Sequence, residues 1–151
     1  VDVGAIIVGD GPQRVEIQQA IDALGLGDAV ALVGEMDDVR PYLACMDVFI
    51  LPSVGVETFS NAALEAMSMC RPVVATNIAG MPEMLRDGGG LLYAPGDIPA
   101  LAGHVKQLLL NPELRRATGD AARQVVAERF SLQAMLTQFR HLASAPVRSK
   151  R

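Results

Sequence analysis

The sequence predicts an α/β fold in which a parallel sheet is flanked by helices and followed by a helical C-terminal segment. Three observations point there. Short, solidly apolar runs recur along the chain, and each is followed by a stretch with helical spacing. Strands that read as unbroken apolar runs are those buried on both faces, the condition of a parallel sheet covered by helices. From Pro99 onward the pattern is helical throughout, with Asn111-Pro112 and Phe130-Ser131 as its breaks.

Ala5-Ile6-Ile7-Val8 is the first run, and Gly9 ends it. Pro12 stands where a first helical turn tolerates a missing N–H, and Val15, Ile17, Ala20, Ile21 and Leu24 recur at helical spacing as far as Gly25. A second strand is expected over residues 29–33, closed by Gly34, and Asp37 or Asp38 can cap a short helix running through Leu43 and Ala44. Residues 48–51 form the third run, stopped by Pro52-Ser53, and a helix is expected from about Ser60 to Met69. Pro72 opens a fourth strand, Val73-Val74-Ala75, a position where the missing ladder N–H is tolerated. A short helix over residues 82–85 leads to the fifth strand, Leu91-Leu92-Tyr93. Three helices then follow, over residues 101–110, 113–127 and 132–142. With no internal repeat or low-complexity stretch, one domain over residues 1–143 is expected, then a flexible basic tail, 144–151. The chain opens on Val1 without an initiator Met, so we expect a piece of a longer protein.

Half of the 151 residues are hydrophobic and a fifth are charged, the balance of a globular chain and not a disordered one. No apolar run approaches the roughly 18–20 residues that span a bilayer. Cys45 and Cys70 lack metal-ligand spacing and read as reduced core thiols of a cytoplasmic protein. Charge is uneven. Residues 1–97 hold fourteen Asp or Glu against four Arg, whereas residues 98–151 hold three acids against nine bases. The acidic part argues against a nucleic-acid partner, because phosphate contacts need clustered Lys and Arg. Solvated helix faces account for the basic remainder.

Ligands of open parallel sheets bind beyond the carboxyl ends of the strands. This directs attention to the loops over residues 9–12, 34–38, 52–61 and 76–83. In Gly9-Asp10-Gly11-Pro12, Gly9 and Gly11 let a phosphate meet backbone N–H groups at a helix start, or they simply make a tight turn. Arg14 occupies the place of the third Gly of a dinucleotide fingerprint. The segment 54–61 ends at a helix N-terminus where Thr58, Ser60 and Asn61 offer caps and Ala62 and Ala63 permit close approach of a ligand. Glu57 precedes this helix, and Glu65 lies about five residues inside it, roughly 7–8 Å further along the axis. Leu64, Ala66 and Met67 flank Glu65, so its carboxylate is expected in apolar surroundings, where it needs hydrogen-bond donors such as paired sugar or ribose hydroxyls. The plainer alternative is that both are ordinary surface glutamates. Glu83 either contacts a ligand or favours the positive end of its helix. His104 and His141 fall in the helical part, away from every candidate loop, and no Ser-His-Asp or metal-ligand set is visible.

Taken in order, several motifs resemble the C-terminal half of a retaining, group 1 (family four) glycosyltransferase with a Rossmann-like domain of the GT-B architecture. They are Val8-Gly9-Asp10-Gly11-Pro12, Val33-Gly34, Leu51-Pro52-Ser53, the stretch from Glu57-Thr58-Phe59-Ser60 through Leu64-Glu65-Ala66-Met67, Pro72-Val73-Val74-Ala75-Thr76, Gly80-x-Pro82-Glu83, and Leu91-Leu92 followed by Pro95-Gly96-Asp97. The resemblance covers nearly the whole chain. It implies that this half holds a nucleotide-sugar donor, with UDP or GDP as the nucleotide. Glu57 would bind the sugar hydroxyls and act at the reacting centre, and Glu65 would bind the ribose hydroxyls. Backbone N–H groups around Phe59, Ser60, Asn61 and Ala62 would face the diphosphate and sugar, and Glu35 and Met36 would lie against the base.

The resemblance further implies transfer of a hexose-type sugar with retention, without a metal or a cofactor beyond the donor itself. The partner would be an N-terminal acceptor-binding domain, with phosphate-binding Arg and Lys upstream of Val1. A lipid-linked acceptor would bring peripheral contact with the inner face of the membrane. Two departures from the family pattern stand out: Cys70 replaces its usual Gly, and the loop 86–90 fits its spacing imperfectly. Two rivals stay open, a non-catalytic nucleotide-sugar-binding or scaffolding domain of the same fold, and a dinucleotide-dependent oxidoreductase domain, which Arg14 disfavours.

Overall fold

The computed structural model describes residues 3–55 and 58–144. The chain divides into two compact units, Val1–Cys45 and Met46–Arg151.

The first unit holds strands β1 (Ala5–Val8) and β2 (Val30–Gly34), paired in parallel, with helix α1 (Arg14–Ala23) between them and α2 (Arg40–Cys45) after. Helix α1 begins two residues later than Pro12, which lies in the preceding turn. Of its expected apolar face Ile21 is buried, whereas Val15 and Leu24 are exposed. Between the two candidate caps of α2, Asp38 does the work. Its Oδ1 accepts the Arg40 N–H at 3.0 Å, and its carboxylate takes both Nε and Nη2 of Arg40 at 2.8 Å. Strand β1 departs from the expected burial on both faces: Ala5, Ile6 and Ile7 are all exposed. It has one paired edge, toward β2, and two strands with two short helices make a unit too small to cover both of its faces.

The second unit holds a three-stranded parallel sheet in the order β3 (Phe49–Leu51), β4 (Val73–Thr76), β5 (Gly90–Tyr93). Here the solid apolar run means what it was read to mean, for all four residues of β4 are buried. Val74 and Tyr93 pack with Leu108 of α5 (Ile98–Leu110), supported by Leu91, Leu101 and Val105. Thr76, buried among them, donates from Oγ1 to Tyr93 Oη at 3.1 Å. Helices α3 (Asn61–Ser68) and α4 (Met81–Leu85) also pack on β4, contributing the fully buried Met67, Met81 and Met84.

The C-terminal helices start on side-chain caps. Asp97 accepts from the Ala100 N–H, and Asn111 accepts from the Leu114 N–H at the head of α6 (Pro112–Val125), where Pro112 takes the first-turn position that suits it. The chain continues from α6 into a π-helical turn, Val126–Phe130, before α7 (Leu132–Ser144). The expected helix over residues 113–127 therefore divides. Both cysteines are free, but neither is a core thiol: Cys45 is exposed and Cys70 half-buried. The bulk of the expected basic tail, residues 145–151, lies outside the described residues.

Candidate functional site

Helix α3 follows β3 and the loop beyond its carboxyl end, so its N-terminus opens where a ligand of a parallel sheet is expected. Its first turn is closed by Ser60, whose backbone is extended (φ −92, ψ 110) and whose Oγ accepts the Ala63 N–H at 3.2 Å. Ser60 is 4% exposed, so this cap is a buried one. Ala63, Ala66 and Met67 form the buried face of the helix. Their spacing leaves Asn61, Ala62 and Glu65 together on the exposed face. Side chains on a helix lean over the turn that precedes them, which carries the Glu65 carboxylate back toward the first-turn amides of Asn61 and Ala62.

The expectation that Glu65 sits in apolar surroundings is therefore corrected. Its flanking residues Ala66 and Met67 turn inward, and Glu65 itself faces solvent. Among the described residues no ion pair engages it. Glu57, the other carboxylate of the pair, lies outside the described residues.

The loop leading into α3 is packed against the turn that precedes α4. A β-carbon on Gly80 would strike the Thr58 carbonyl oxygen and lie 3.1 Å from its carbonyl carbon. The neighbouring Phe59 ring meets Phe130 edge-on, with centroids 5.2 Å apart. Glu83 opens α4 as an acidic first-turn residue, and its carboxylate is 3.8 Å from Arg129. Neither the Gly80–Thr58 contact nor the Phe59–Phe130 pair has a local signal in the sequence, since each joins positions far apart in the chain.

In the first unit, the loops after β1 and β2 are joined. Gly9, at φ 120, donates its N–H to the Gly34 carbonyl at 2.7 Å. Gly11 donates its N–H to Asp10 Oδ1 at 2.7 Å. Glu35 is exposed, and Met36, half-buried, accepts from Tyr42 Oη through its sulfur at 3.1 Å. Arg14 folds over this turn: its Nη2 donates to the Leu32 carbonyl at 3.4 Å and its Nη1 lies 3.8 Å from Asp10. A long side chain thus stands where the third glycine of a dinucleotide fingerprint would serve close packing of helix on strand. Away from the candidate loops, His104 Nε2 lies 3.2 Å from the Leu92 carbonyl, a packing role, and His141 is exposed on α7.

The family model for glycosyl transferases of group 1 matches residues 2–111. The chain belongs to that family. N-acetyl-alpha-D-glucosaminyl L-malate synthase of Bacillus anthracis is 36% identical to it over 140 residues, which are 92% of this chain and 36% of that protein. The crystal structure of Anabaena HepE in complex with UDP superposes with a TM-score of 0.86 at 28% identity, over 94% of this chain and 41% of that one. HepE has also been solved with UDP-glucose. The C-terminal domain of a group 1 glycosyl transferase family protein from Francisella tularensis shares the fold, with a TM-score of 0.73 at 19% identity, over 87% of this chain and 89% of that one. The fold is thus that of a GT-B glycosyltransferase domain, and this group 1 chain spans 14–42% of the length of the curated relatives it matches.

Proposed function

We propose that this chain is the donor-nucleotide half, the C-terminal one, of a retaining glycosyltransferase that moves a hexose-type sugar from a nucleoside diphosphate to an acceptor. The observation that carries the reading is the exposed face of α3, where Asn61, Ala62 and Glu65 stand together over a first turn capped by Ser60. A helix N-terminus suits a diphosphate, because its free amides point outward and its dipole favours negative charge. A carboxylate leaning over the same turn suits a pair of vicinal hydroxyls. The UDP and UDP-glucose complexes of HepE, a 28–29% identical relative, support a uridine nucleotide as the donor, with a guanosine nucleotide as the alternative to test.

In this reading Glu65 binds the ribose hydroxyls and Glu57 binds the sugar hydroxyls at the reacting centre. The amides of Phe59, Ser60, Asn61 and Ala62 stabilise the charge that develops on the leaving diphosphate. Glu35 and Met36 lie against the base, whereas the Gly9 and Gly11 N–H groups expected to meet a phosphate are engaged by the Gly34 carbonyl and Asp10 Oδ1. Transfer needs no metal and no cofactor beyond the donor. The fold likeness to a domain described as C-terminal supports the placement in the second half of a two-domain protein, with an N-terminal domain holding the acceptor. The setting is cytoplasmic, at the inner membrane face when the acceptor is lipid-linked. Among the described residues no helix is long and apolar enough to cross a membrane.

The test is turnover by the complete protein with a panel of UDP- and GDP-sugars. NMR of the product should show the donor's anomeric configuration, unchanged by EDTA. An inverted product removes the retaining assignment, and binding without turnover favours the scaffolding alternative.

A further inference from the structure

The loop that leads into α3 is held from two sides. On one side Gly80 abuts the Thr58 carbonyl. On the other, the Phe59 ring, 45% exposed, meets Phe130 with ring planes inclined at 68°. Phe130 ends the π-helical turn, and such a turn adds a residue to the helical register and so displaces the side chains that follow it. Arg129, one position earlier, anchors that turn. Its Nη1 donates to Asp87 Oδ2 at 2.7 Å and to the Glu83 carbonyl at 3.2 Å, and its guanidinium lies over the Phe130 ring, 5.0 Å from the centroid. No residue of the π turn is fully buried: Phe130 is half-buried against the 45%-exposed Phe59, so the ring pair lies at the rim of the core.

We infer that Phe130, anchored by Arg129, is a positioning residue for the donor: it fixes the Phe59 ring, and with it the backbone that presents the first-turn amides of α3. The inference rests on the donor-site reading above. Leucine at position 130 keeps apolar bulk without a ring edge, whereas tyrosine keeps the ring.

Calorimetric titration of UDP, with thermal melting alongside, tests it in the wild type, Phe130→Leu and Phe130→Tyr. The expected result is an affinity for UDP about three- to tenfold weaker in the leucine variant and within about twofold of wild type in the tyrosine variant, the loss of an edge-to-face pair. The leucine variant should melt a few degrees lower and the tyrosine variant close to wild type, and in turnover the donor KM should rise while kcat changes less. Arg129→Gln, which cuts the anchor and the cation over Phe130 but leaves both rings in place, should weaken UDP in the same direction, and it carries the test if the leucine variant does not fold. Wild-type affinity in Phe130→Leu or in Arg129→Gln, or a tyrosine variant as weak as the leucine one, overturns the inference and leaves the donor-site reading standing. Failure of the wild type to bind UDP, UDP-glucose or GDP overturns both.

Discussion

Gly80 packs against the carbonyl of Thr58 so closely that a β-carbon at position 80 would lie 3.1 Å from the Thr58 carbonyl carbon. The obstacle is backbone, which cannot swing aside as a flexible side chain would. Gly80→Ala must therefore push the loop before α3 away from α4, and the cost expected for such overpacking is about 1–3 kcal/mol. Urea denaturation measures it. The same variant should bind UDP more weakly, and an unchanged midpoint together with unchanged binding would show that the loop yields freely.

Ser60 is both the cap of α3 and a buried residue. Ser60→Ala leaves the Ala63 N–H without its acceptor, a loss of about 1 kcal/mol for a typical N-cap. Ser60→Thr, which retains the hydroxyl, should recover most of it in the same denaturation series.

Cys70 follows α3 with φ at 57, in the left-handed region. For a residue with a β-carbon this conformation costs roughly 1–2 kcal/mol. Cys70→Gly should raise the melting temperature in spite of glycine's greater freedom in the unfolded chain, and Cys70→Ala should not. A left-handed turn favours glycine, which is the conformational cost that Cys70 carries here.

The Asp38 carboxyl is held below the ordinary aspartate value of 3.8, first by the hydrogen bonds from the Arg40 side chain and then by the Arg40 backbone N–H. A depressed folded value means that the pair's contribution to stability is complete above pH 3.8 and is lost as the pH falls through the depressed midpoint. Carboxyl-carbon NMR titration should find that midpoint below 3.8 in the wild type and closer to it in Arg40→Ala.

The order of elements was legible because strands and helices here are punctuated by Gly and Pro and differ sharply in apolar period. Burial was less so. Val73-Val74-Ala75 and Ala5-Ile6-Ile7-Val8 read alike, yet β4 lies between two strands and is buried while β1 is largely exposed. An apolar run records what a strand tolerates, and what covers it depends on the rest of the molecule. Glu65 teaches a related lesson. Its apolar flanks suggested burial, but the phase of Ala63, Ala66 and Met67, spaced three and four apart, already placed Glu65 on the opposite face. The π turn and the Gly80–Thr58 contact had no local signal. One replaces an α-helix without a change in composition, and the other joins positions 22 apart in the chain.

The most direct measurement of the central claim is the affinity of the protein for UDP and for 2′,3′-dideoxy-UDP, with and without Glu65→Ala. If the α3 carboxylate grips the ribose hydroxyls, the substitution weakens UDP by roughly tenfold or more, the worth of hydrogen bonds to a charged group, and hardly alters the dideoxy analogue. Equal binding of UDP by wild type and variant would contradict the account.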